Sequence, residues 1–132
     1  PLATGERTYT RWGFLPFFEN QSLTVIQPDI GNCGGITECK KICDMAHIYD
    51  VSVQCHVCSS QISVAISLHM ETAIPNFIIH EHHLANTTPP NTDTGKYNYQ
   101  PVNGYMEIPE IPGIGQEISD EAMSKAHIET IK

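Results

Sequence analysis

The feature that most limits the fold is a short strand-like run that recurs at a near-constant pitch, with helical patterns between its copies. In Val51-Ser52-Val53-Gln54-Cys55-His56, apolar and polar residues alternate with the period of two that marks a strand. The run stops at His56, before a Ser-Ser pair and a helical pattern. A histidine therefore stands where a strand ends and a βα turn begins. Leu23-Thr24-Val25-Ile26-Gln27, closed by Pro28-Asp29, and Phe77-Ile78-Ile79-His80-Glu81 read as further short strands. Leu2 to Thr4 reads as the end of another, with Gly5 permitting the turn.

The intervening segments carry the other period. Ile36, Cys39, Ile42, Cys43, Ala46 and Tyr49 fall three and four apart, and Lys40, Lys41 and Asp44 take the opposite side. Ile62 to Ala73 repeats the pattern, with Ile62, Ala65, Ile66, His69, Met70 and Ala73 expected on one apolar side, and Pro75-Asn76 breaks it. Arg11 to Asn20 holds Trp12, Phe14, Leu15, Phe17 and Phe18 around Pro16, which predicts a short helix or two turns. Strands alternating with helices at this pitch predict an α/β fold with parallel strands. After His83 the periodicity is lost. Leu84 to Gly104 is rich in Pro, Asn and Thr, and the prolines around Ile108 to Gly115 predict extended chain. Ser119 is placed to cap a last helix, with Asp120 and Glu121 favourable in its first turn and Met123, Ala126, His127 and Ile131 on a modest apolar side.

Composition narrows the function classes. The 132 residues suffice for a domain with a real core, and 40% of them are hydrophobic. A net charge of −8 argues against a nucleic-acid surface, which needs a basic stripe. No apolar run approaches the ~20 residues of a membrane span. Five cysteines, Cys33, Cys39, Cys43, Cys55 and Cys58, are an odd number without secretory context, and several fall on apolar faces. Buried free thiols behave as small hydrophobes, so a reducing, cytoplasmic setting is expected. The opening Pro1 to Arg7 reads as a strand tail and turn without an initiator Met, so the chain is expected to begin inside a larger protein.

Each strand end carries a titratable group: Glu6, Asp29, His56 and Glu81, at successive intervals of 23, 27 and 25 residues. In parallel α/β folds this end opens onto the ligand crevice. Neighbouring parallel strands lie ~4.8 Å apart, so Asp29 and His56 are expected to be able to pair, the acid fixing the tautomer of the imidazole. Flanking carboxylates suit a hard cation or the orientation of an acidic substrate.

Other arrangements compete. Cys55-His56-Val57-Cys58 with His80, His82 and His83 has zinc-ligand residue types, yet Cys55 and His56 should point to opposite faces of a strand. Gly31 to Gly35 lacks a phosphate-loop signature and reads as a tight turn before a helix. A self-contained flavodoxin-like binding module fits the chain length.

Taken together and in order, PLATGERTYTRWGF, QPDIGNCGGITECKKICDMA, HVCSS, PNFIIHEHH and IPGIGQEI resemble the C-terminal half of the enolase superfamily. Within it they are most similar to the mandelate racemase and muconate lactonizing group, and to its galactonate-dehydratase-like members. The resemblance implies the C-terminal portion of a (β/α)₈ barrel, with residues 1–83 supplying its last βα units. Residues 84–132 would form an irregular loop, an extended tail and a final helix packed back on the barrel or a capping domain. It implies Glu6 as a Mg²⁺ ligand, Asp29 and His56 as a catalytic dyad, and Glu81 as a contact to the substrate carboxylate. The implied reaction is dehydration of an acid sugar to a 2-keto-3-deoxy acid, with racemisation as the alternative chemistry. The implied partners are the remainder of the same protein, carrying the other metal ligands, and further copies in a homo-oligomer. The chain alone is expected to be inactive.

Overall fold

The computed structural model describes residues 1–131 and is an α/β arrangement around three parallel strands. The regular strand cores are β1 (Ala3–Thr4), β2 (Val25–Ile26) and β3 (Ser52–Val53), in spatial order β1-β2-β3. Ala3 lies beside Val25, and Val25 beside Ser52. Backbone bonding continues past these cores: Gln54 N donates to Ile26 O at 3.0 Å and His56 N to Pro28 O at 3.1 Å. The extended chain therefore runs on to the histidine. Gly5 is required where β1 leaves the sheet. Its φ is +148°, and a Cβ there would lie 2.9 Å from the backbone nitrogen of Gln27.

The connecting helices are α1 (Thr10–Glu19), α2 (Gly35–Ile48) and α3 (Gln61–Thr72). Two of them start within a residue of where the periodicity predicts. α1 is one unbroken helix of ten residues despite Pro16. Packing supplies the reason: Phe14 and Phe18, one turn apart, are both buried, and Phe18 stacks on Tyr49 at 5.6 Å. Its exposed first turn is capped from another helix, where the Glu38 carboxylate of α2 accepts from Arg11 N at 2.9 Å. α3 carries its own cap, Ser60 Oγ accepting from Ser63 N.

One hydrophobic cluster joins the helices to one face of the sheet. Ile26, Val53, Cys55 and Val57 meet Phe14, Phe18, Cys39, Ile42, Val64 and Leu68 there. Each fully buried aliphatic side chain contributes roughly 1.5–3 kcal/mol. The other face presents Val25, Gln27, Ser52, Gln54 and His56, all half-buried.

The fourth expected strand forms only in outline. Phe77 makes a single parallel bridge with Val53, closed by Val53 N to Asn76 O at 2.8 Å and Ile78 N to Val53 O at 3.1 Å. Phe77, Ile78 and Ile79 remain 39%, 49% and 58% exposed, because this run has a partner on one side only.

The segment after it folds back over α3. Short 3₁₀ turns occupy Leu84–Thr87 and Thr92–Thr94, and Gly95 bridges antiparallel to Ile118. Ser119 does cap the last helix, α4 (Asp120–Lys125), accepting from Ala122 N at 3.1 Å. That helix ends sooner than the apolar spacing suggests. Ala126 has left helical geometry, and Met123 and Ile131 are exposed. Nothing among the described residues covers its apolar side, and six residues cannot hold themselves helical for longer.

Candidate active site

The face opposite the helices collects the polar side chains at the strand ends. Gln27 Nε2 donates to Gln54 Oε1 at 2.8 Å, joining β2 and β3 just below their ends. One step further along the same strands stand Asp29 and His56. Both line a cavity of about 740 Å³ at the strand ends, whose other walls include Asn32, Cys58, Ile36 at the start of α2, and Ile62 and Ile66 of α3.

His56 is held by Glu81. Its Nδ1 lies 3.0 Å from Glu81 Oε2, and the same oxygen accepts from Val57 N at 3.3 Å. Against a carboxylate, Nδ1 carries the proton and donates. Nε2 then makes no hydrogen bond among the described residues, so it is free to exchange a proton.

The expected Asp29–His56 pair shares this cavity but is not joined by a direct hydrogen bond. β2 and β3 are neighbours, yet the Asp29 carboxylate turns into its own loop. Oδ1 accepts from Gly31 N at 2.8 Å and Asn32 N at 3.2 Å, and no hydrogen bond joins it to His56. Two backbone donors a few residues away outcompete a histidine on the next strand. Gly31 makes the approach possible, since a Cβ there would sit 3.1 Å from that oxygen.

Glu6 lies in the turn after β1, outside the residues that line the cavity. Its backbone oxygen accepts from Asn32 Nδ2 at 3.3 Å, which ties the turn to the cavity wall. Among the described residues its carboxylate has no hydrogen-bond or ion-pair partner. A free carboxylate of this kind suits a hard cation such as Mg²⁺, which binds through one or two carboxylates and keeps other positions for water and substrate. No group of three His, Cys, Asp or Glu able to hold a metal occurs among the described residues. The zinc arrangement fails for the same reason. Cys55 is buried toward the helices while His56 lies on the open face.

Two buried polar features escaped the sequence reading. Glu71, 4% exposed on α3, accepts from His80 Nδ1 at 2.7 Å. Burial pushes its carboxyl above the ordinary range, against the opposing pull of that hydrogen bond. The i, i+9 separation of the pair follows no local rule. Asn86, fully buried, donates to Val57 O at 2.7 Å and accepts from Ser59 N at 3.2 Å, gripping the turn that follows His56. It lies in a segment without periodicity, so no local pattern singled it out.

Residues 1–122 match the enolase C-terminal domain-like family, and the chain belongs to that family. A D-galactonate dehydratase from Ralstonia nicotianae is 34% identical over 128 residues, covering 93% of this chain and 33% of that protein. The chain thus spans about a third of the length of the curated relatives it matches. A crystal structure of an enolase superfamily member from Salmonella Typhimurium superposes with a TM-score of 0.95 at 64% identity. It covers all of this chain and 34% of that one. An enolase structure from Agrobacterium radiobacter, with sodium and L-malate bound, superposes with a TM-score of 0.84 at 32% identity, over 99% of this chain and 37% of that one.

Proposed function

We propose that this chain is the C-terminal part of a (β/α)₈-barrel acid-sugar dehydratase, and that His56 is its proton-transfer group. The observation that carries the reading is the pairing of His56 Nδ1 with the Glu81 carboxylate beside a cavity that Asp29 also lines. Kinship with D-galactonate dehydratases supports an aldonate as substrate.

The chemistry follows from the weak acidity of a proton α to a carboxylate. A divalent cation, when bound with Glu6 among its ligands, supplies Lewis-acid stabilisation of the charge that develops on that carboxylate. The base that removes the α proton belongs to the remainder of the protein. His56, protonated, donates through Nε2 to the β-hydroxyl; the C–O bond breaks, water leaves, and the imidazole becomes neutral. Glu81 keeps the Nδ1 proton in place throughout and steadies the imidazolium before transfer. Its second oxygen, unbonded among the described residues, is available to the substrate. Asp29 shapes the loop that walls the cavity. The enol product tautomerises to a 2-keto-3-deoxy acid.

The active unit is the whole protein, with the remaining ligands and barrel strands supplied outside this chain and further copies assembling as a homo-oligomer. A cytoplasmic setting agrees with five free thiols, and no helix of the described residues is long and apolar enough to cross a membrane. The test is turnover of D-galactonate by the full-length enzyme, read as 2-keto-3-deoxy acid. The wild type should produce it, the chain alone should not, and His56→Asn should lower kcat by about 10²–10⁴-fold without loss of folding. Unchanged turnover by His56→Asn would overturn the assignment.

A further inference from the structure

We propose that Asn86 is a positioning residue for His56, acting through the turn His56–Ser59; this rests on the reading of His56 as the proton-transfer group. The chain around His56 is held from three sides. His56 N donates to Pro28 O, just past β2, at 3.1 Å, and Val57 N donates to the Glu81 carboxylate at 3.3 Å. The third hold is the Asn86 amide. Its Nδ2 donates to Val57 O at 2.7 Å while its Oδ1 accepts from Ser59 N at 3.2 Å. One side chain thereby brackets Cys58 from both directions, as a neighbouring strand would. It does so where the sheet has already ended and no strand is available.

Asn86 is itself fixed. Its backbone oxygen accepts from Gln61 Nε2 at 3.1 Å and from Gln100 Nε2 at 2.9 Å. Gln61, also fully buried, completes its own amide by accepting from Tyr99 N at 2.9 Å. This chain of amides links α3 and the irregular segment to the turn after the histidine. Each amide group in it has a partner, which is the condition under which a buried polar network rigidifies its surroundings. A carboxylate or hydroxyl could not replace Asn86, because the site needs one donor and one acceptor on the same planar end. Release of the turn would let the ring drift from Glu81 and lose its fixed tautomer.

The experiment compares Asn86→Asp with the wild type in the full-length enzyme. Asp keeps the shape and the acceptor for Ser59 N but offers Val57 O no donor. With D-galactonate as the probe, kcat should fall about 10–100-fold, the scale of a small misplacement of a reacting group, while KM stays nearly constant. In ¹⁵N-histidine spectra, the single tautomer of His56 should give way to a mixture. If Asn86→Asp does not fold, Asn86→Ala, which removes both the donor and the acceptor without adding charge, is read in the same way. A lowered melting temperature with unchanged kcat and unchanged His56 signals would overturn the proposal and leave Asn86 a structural residue. Failure of the functional reading is separable. Activity retained in His56→Asn would sink that reading, while the His56 spectra would still report whether Asn86 governs the ring.

Discussion

The two faces of β3 share one backbone and have opposite duties. Val51, Val53, Cys55 and Val57 are buried against the helices, while Ser52, Gln54 and His56 face the open side. The first set joins a single hydrophobic cluster that also holds the buried thiols of Cys33, Cys39 and Cys43. Cys55 and Cys39 are thiols pushed away from ionisation, Cys39 first by contacts with neighbouring thiols and then by burial. In the second set Gln54 pairs with Gln27, and His56 lines a cavity and meets the Glu81 carboxylate. A period of two separates stability from chemistry within six residues, and it predicts that the two can be damaged independently.

The largest effect should fall on the open face. His56→Asn should remove about 10²–10⁴ in kcat and leave the unfolding midpoint where it was. A midpoint that fell with it would break the comparison. Ile26→Ala, on the covered face of β2, should do the reverse: about 2–5 kcal/mol less stable by denaturant unfolding, with unchanged kcat per folded molecule. Activity lost in proportion to more than the unfolded fraction would show that the faces are coupled.

A smaller effect sharpens the picture behind α3. The folded Glu71 carboxyl lies above its ordinary value of 4.5, chiefly through burial. Folding therefore takes up a proton at this site. The stability it contributes is fully present below about 4.5 and is lost as pH rises through the raised value. Glu71→Gln cannot titrate, so its stability should vary less with pH over that window than that of the wild type. Equal slopes would remove Glu71 as the cause. The smallest effect belongs to the exposed Lys40–Asp44 pair, one helical turn apart on α2. Asp44→Ala should cost about 0.3–0.5 kcal/mol at low salt and less at high salt. A larger loss would mean that the outer surface of α2 is not the solvated face its pattern implies.

Much of the architecture was legible because periodicity is a local signal read many times over. The ends of α2 and α3 are off by single residues and α2 buries its expected face, but α3 turns Val64, Ser67, Leu68 and Glu71 to the core and leaves Ile62, Ile66 and His69 half-buried. α1 was less legible, since Pro16 argues locally against a continuous helix, and only the burial of Phe14 and Phe18 outweighs it. At the site, the titratable residues at the ends of the strand runs could be named from the sequence, but their partners could not. Asp29 bonds its own loop, Glu81 takes the histidine, and Asn86 enters from a stretch with no pattern.

The sequence alone determined which residues alternate between core and open face, where α2 and α3 run, and that an acid or an imidazole closes each strand run. These follow from dihedral geometry and the burial of apolar surface, which act over a few residues at a time. Only the tertiary structure decided that Glu81, 25 residues on, holds His56, and that Asn86 braces the turn behind it. Hydrogen bonds between distant segments depend on distances of a few tenths of an ångström, and these exist only once the whole chain has packed.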